Sequence, residues 1–181
     1  MKKCTRFEPQ EDCNLPCDEE IYKKCVGRLL GGVLKIILQE LGFVVKVNHQ
    51  QSNGADIQVY LGERIVFVLE VINWNITCRL YNKRRDCIIG NLSEFDCHRL
   101  FVYTNNLSQK QLTKIKEENI YLLQIGYQIL RQPCYDFYDE KGYTIGRTIF
   151  SNSIKAEIRS KILEFLDNEY YSIKNLRYLF A

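Results

Sequence analysis

No run of about 18 apolar residues occurs in the chain, so the sequence offers no membrane-spanning helix. Its opening, MKKCTRFEPQEDC, is polar and charged where a signal peptide needs an apolar stretch, and an intracellular protein is expected. There is no internal repeat and no low-complexity segment. Neither sign of charge is in large excess: the net charge is +3 with 26% charged residues, so only the placement of charge can argue for or against a nucleic-acid partner. The eight cysteines include no paired CxxC knuckle. Without a secretory context they read as free thiols or a single bridge, such as a hyperthermophile's cytoplasm permits. A metal site from Cys4, Cys13, Cys17 and Cys25, which would make the chain a small zinc-stabilised regulator, is the less favoured reading.

What is present is enough apolar material, 46% of 181 residues, for one domain with a real core and a small appendage. Residues 1–18 read as irregular, 19–132 as the core domain and 133–181 as a C-terminal extension with a turn and helices. Asp18 is a candidate cap for a helix whose apolar residues recur with a period of 3.6, from Ile21 through Leu30, Leu34, Ile37 and Leu38 to Leu41, and which stops at Gly42. Gly31 and Gly32 each cost that helix about 1 kcal/mol relative to alanine and are expected to mark close packing on a neighbour. Strands are expected at 43–47, 57–61, 65–72, 100–104 and 120–125, and helices at 76–92, 107–119 and from the Ser151-Asn152-Ser153 cap to about Asp167, with a short helix last. Gly62-Glu63 reads as a hairpin turn with glycine first. The order α-β-β-β-α-β-α-β predicts an α/β fold, a mixed sheet flanked by helices.

Two acids sit within apolar strands. Asp56 opens one and Glu70 lies near the end of the next. Strand side chains alternate faces, so Asp56, Gln58 and Tyr60 share one face, and Val66, Val68, Glu70 and Ile72 share another. If the hairpin register holds, both carboxylates reach one pocket. Two such groups repel and lose solvation, and a hard divalent ion, Mg²⁺ or Mn²⁺, answers both problems. The bland alternative is that Asp56 ends a turn and Glu70 lies on a solvated face.

The ordered set Leu38-Gln39-Glu40-Leu41-Gly42-Phe43, Gly54-Ala55-Asp56-Ile57 and Glu70-Val71-Ile72-Asn73-Trp74 resembles the PD-(D/E)XK nuclease superfamily, with its restriction-endonuclease-like fold. The nearest flavour is that of archaeal Holliday-junction resolvases and Mrr-type restriction enzymes. The resemblance covers roughly residues 20–130. It implies a metal-dependent DNA nuclease in which Asp56, Glu70 and the Val71 carbonyl hold Mg²⁺ or Mn²⁺. It also implies a homodimer acting on DNA, branched or junction DNA included. Two features depart from the family pattern. Ile72 stands where the family has its catalytic lysine, and the first helix has Gly31-Gly32 where many relatives carry a glutamate. A migrated cation would restore activity, with Lys35 the first candidate and Arg79, Lys83 and Arg84 next. Otherwise the fold is a non-catalytic DNA-binding or assembly module. The basic run Arg79, Lys83, Arg84, Arg85 is the candidate phosphate-contacting segment, or else a solvated helix face. Asn73 and Trp74 read as packing and strand-end hydrogen bonding. Cys97 and His98 lack the partner order of a Cys-His hydrolase.

Overall fold

The first apolar repeat forms α1 (Glu19–Glu40), and its buried stripe, Leu30, Leu34, Ile37 and Leu38, is fully shielded. Gly42 ends it with a φ of 89°, where a side chain would be strained. The Phe43 amide then donates to the Leu38 carbonyl and the Gly42 amide to that of Gln39, the paired closure of a Schellman motif. The computed structural model describes residues 19–48, 54–130, 137–138, 144–148 and 152–169. The Asp18 cap, Cys4, Cys13, Cys17 and the final short helix lie outside them.

The chain continues as β1 (Val44–Val47), β2 (Ile57–Leu61), β3 (Arg64–Ile72), α2 (Asn82–Ser93), β4 (His98–Tyr103), α3 (Gln109–Glu117) and β5 (Ile120–Gln124). The expected order of elements is therefore observed. The five strands lie side by side as β1-β2-β3-β4-β5, antiparallel through β3 and parallel beyond it, the expected mixed sheet. The expected helix at 76–92 starts later: residues 76–81 are irregular and α2 begins at Asn82, so Arg79 lies in the loop. Ser108 caps α3 in a reciprocal capping box with Gln111.

Each sheet face has its own core. Ile57, Val59, Phe67, Leu69, Leu100 and Val102 meet α1 on one side. Val68, Ile72, Phe101 and Tyr103 meet α2 and α3 on the other, through Ile88, Leu92 and Ile115. The extension adds β6 (Gln128–Leu130), β7 (Phe137–Tyr138) and β8 (Thr144–Thr148), a small second sheet, and then α4 (Asn152–Glu169). That α4 is no loose appendage, since Ile158, Ile162 and Phe165 are fully buried in the α1 core and Phe165 sets its ring edge-on to Phe67 at 5.9 Å. The glycine pair of α1 does not mark a tight crossing. Among the described residues, a Cβ on Gly31 would meet only Ile57 Cδ1 at 4.0 Å, and one on Gly32 would meet nothing. Among the described residues no helix is long and apolar enough to cross a membrane.

Candidate active site: two carboxylates on neighbouring strands

The β2–β3 hairpin turns at Gly62-Glu63, with Gly62 at a φ of +62°. Next to the turn Leu61 faces Arg64 and Tyr60 faces Ile65, but beyond an irregularity at Val59/Tyr60 the pairing is Val59 with Phe67 and Ile57 with Leu69. The extra residue matters because a one-residue slip exchanges the two faces of a strand. Kept regular from the turn, the register would set Asp56 against Leu69, on the α1 side. With the bulge, the register carried one step outward sets Asp56 against Glu70, on the α2 side.

Hydrogen bonds fix both acids. The Val71 amide donates to Asp56 Oδ2 at 2.8 Å, and the Asn48 amide donates to the Asp56 carbonyl at 2.8 Å. Within a strand, the N–H and C=O of one residue point to the same side, so the Val71 carbonyl also faces the Asp56 edge. The Ile72 carbonyl points the other way, to the Thr104 amide at 3.1 Å. Glu70 is 0% exposed. Its Oε1 accepts from Asn91 Nδ2 at 2.9 Å and its Oε2 from Arg84 Nη2 at 3.3 Å, both from α2. Burial, and then the charge of Asp56, push the Glu70 carboxyl from 4.5 up to about 7, against the pull of Asn91 and Arg84. Burial also raises Asp56, opposed by the Val71 amide and by Arg84.

The expected ligand set of Asp56, Glu70 and the Val71 carbonyl is thus brought to one place. Among the described residues no cluster of three or more His, Cys, Asp or Glu side chains forms around it or elsewhere. All three donors are hard oxygens, and two of them are carboxylates desolvated against each other. That set fits an ion such as Mg²⁺, which takes one or two carboxylates and keeps several waters.

Comparisons with known proteins add little to this geometry. No protein-family model matches the chain, and no curated protein matches it. Among solved structures it is similar to the crystal structure of a protein of unknown function, AF1548, at 15% identity and a TM-score of 0.37, over 52% of this chain and 56% of that one.

The candidate cations divide sharply. Lys35 lies on α1, which covers the face opposite to Glu70, and it is not among the charges that act on either acid. Arg84 reaches the pair instead. Arg85 does not face a ligand: it is 5% exposed and its guanidinium is held by Asp86 Oδ1 at 2.6 Å and Asn82 Oδ1 at 3.0 Å. Arg79 and Lys83 are exposed. Ile72, at the lysine position, is 3% exposed and packs in the α2 core. Burial raises the Cys97 thiol, which is the wrong direction for a nucleophile. Cys87 and Cys97 are free thiols.

Asn91 was not a sequence candidate, although a signal for it exists. Arg84, Ile88 and Asn91 stand at i, i+4 and i+7, one face of a helix, and Ile88 is fully buried. Asn73 is the strand-end hydrogen-bonding residue expected. Its amide donates to the Ile129 carbonyl at 2.8 Å and accepts from the Ile129 amide at 2.7 Å.

Proposed function

We propose that this chain is a metal-dependent DNA nuclease of a degenerate PD-(D/E)XK type, with Arg84 in place of the missing lysine. The observation that carries the reading is the buried pair Asp56 and Glu70, facing each other across two strands with one guanidinium beside them. Mg²⁺ or Mn²⁺, when bound, would lower the pKa of an attacking water and neutralise charge on the phosphodiester. Asp56, Glu70 and the Val71 carbonyl supply its oxygen ligands. Asn91 holds Glu70 in one rotamer, so the ligands are positioned before any ion arrives. Arg84, whose side chain is 39% exposed, is shared between Glu70 and solvent. On release from Glu70 its planar fork suits two phosphate oxygens. An arginine stays protonated, so it stabilises charge on the phosphate but cannot take a proton from the water as a lysine can. Hydrolysis is therefore expected to be slow and to rise with pH. By family resemblance the enzyme would be a homodimer, with branched DNA among its substrates.

A second reading, a non-catalytic DNA-binding or assembly module, is favoured by one observation: Arg84 already neutralises Glu70 while Ile72 fills the lysine position with core. Incubation with supercoiled, linear, single-stranded and four-way-junction DNA in Mn²⁺ separates the two. Cleavage is expected from the wild type, absent from Asp56→Asn and Glu70→Gln, and about 100-fold slower in Arg84→Ala. DNA binding without cleavage, or cleavage that survives both acid substitutions, would overturn the nuclease reading.

A further inference from the structure

Helix α2 covers only half of the face on which the two acids lie. Its buried residues pack over β3 and β4, and among the described residues the β1–β2 half stays open. On that open half Val44 is directly opposite Tyr60, and Lys46 is opposite Gln58. Val44 is 57% exposed, an apolar side chain left in solvent on an edge strand. Lys46 is exposed and sets its ammonium 4.6 Å from the centre of the Tyr60 ring. None of the ion pairs among the described residues involves it. The Tyr60 hydroxyl donates to Gln58 Oε1 at 2.8 Å, which fixes the ring in place. The next residue inward on this face is Asp56. At about 3.4 Å per residue, Gln58 and Lys46 lie about 7 Å from Asp56 along the strand and Tyr60 about 14 Å. Arg84 stands on the far wall, at the edge of α2.

We infer that this open shelf seats an unpaired polynucleotide strand and leads its backbone to Asp56. The assignment rests on the nuclease reading for naming the polymer as DNA, and deepens it by specifying a single-stranded segment. The chemistry of the shelf selects that occupant. Lys46, midway along it, and Arg84, beside the acids at its inner end, are cations complementary to a chain of phosphates. Val44 and the Tyr60 ring present apolar and aromatic surface, which a duplex cannot use because its bases are stacked inside. An unpaired strand offers sugar and base faces to that surface and phosphates to the cations together, the combination by which single strands are held. A lysine held over an aromatic ring is pre-positioned.

The test is fluorescence anisotropy of a labelled single-stranded oligodeoxynucleotide and of a blunt duplex of equal length, in EDTA so that cleavage plays no part. Tyr60→Ala is expected to weaken single-strand binding about tenfold and to leave duplex binding unchanged. Tyr60→Phe keeps the ring and loses only the bond to Gln58, and should bind as the wild type does. Lys46→Ala should reduce the salt slope for the single strand by about 0.7. Equal losses on both DNAs, an unchanged single-strand affinity in Tyr60→Ala, or no single-strand binding by the wild type would each overturn the proposal. Failure of the nuclease reading registers separately, as absent Mn²⁺-dependent cleavage alongside single-strand binding that is still sensitive to Tyr60→Ala.

Discussion

Replacing Glu70 by glutamine should make the protein more stable at alkaline pH and hardly change it at pH 5. The carboxyl titrates at 4.5 in an unfolded chain and at about 7 in the fold. Between those values the folded state keeps a proton that the unfolded state has lost, so wild-type stability falls as pH rises and the loss is complete above pH 7. At about 1.4 kcal/mol per unit, the shift amounts to about 3 kcal/mol, of which about 2–3 develops between pH 5 and pH 8. Glu70 is 0% exposed, so solvent screening does not dilute it. Glutamine keeps the shape and the acceptor for Asn91, carries no charge and frees Asp56 from repulsion; Arg84 can turn to water. Urea unfolding of both proteins from pH 5 to pH 8 measures the difference. For a chain of this size it corresponds to a widening of about 5–10 °C in melting temperature. Saturating Mn²⁺ at pH 8 should restore the wild type by about 2.7 kcal/mol at 100 times its Kd, and leave the glutamine variant unchanged. A stability difference that does not vary with pH, or a glutamine variant less stable than wild type at pH 8, would refute the account of the buried pair.

Ile72→Lys, which rebuilds the motif of the superfamily the sequence resembles, is expected to destabilise the fold by about 2–4 kcal/mol, read as a lowered urea midpoint, because position 72 is 3% exposed and lined by the α2 core. Phe165→Ala should cost about 3–5 kcal/mol, since the ring is fully buried between Phe67 and Tyr121; a loss under 1 kcal/mol in chemical denaturation would mean that α4 is not part of the main core.

The order of elements was legible because each signal was local: the apolar repeat of α1, Gly42 at its end, Gly62 at the hairpin and Ser108 at the cap of α3. The pairing of the acids was legible only as a possibility. Asp56 and Glu70 are fourteen residues apart, an even number, whereas residues facing each other across a regular two-residue hairpin are always an odd number apart. The acids can face each other only if the hairpin holds an extra residue, and no side chain near Val59 announces one. The first-named cation, Lys35, lies away from the acids for a related reason, whereas Arg84, named after it, reaches them. Lys35 is near in helix spacing to the family's usual helix acid, but α1 covers the other face of the sheet. The identity of the true neighbour, Arg84, depended on the start of α2, where residues 76–81 form a loop and not a first turn. The small β6-β8-β7 sheet was missed because its strands are short and paired out of chain order.

The Asn73 bond to Ile129 ties the site to the calendar of synthesis. Asn73 is 2% exposed and follows the acid-bearing strand, yet both of its amide bonds go to a backbone 56 residues downstream. A chain leaving the ribosome therefore holds both carboxylates long before it can satisfy the buried amide beside them. Until β6 has emerged and docked, those two bonds cannot form, and water must take their place. Truncated or stalled products would carry the two acids without the frame that holds them.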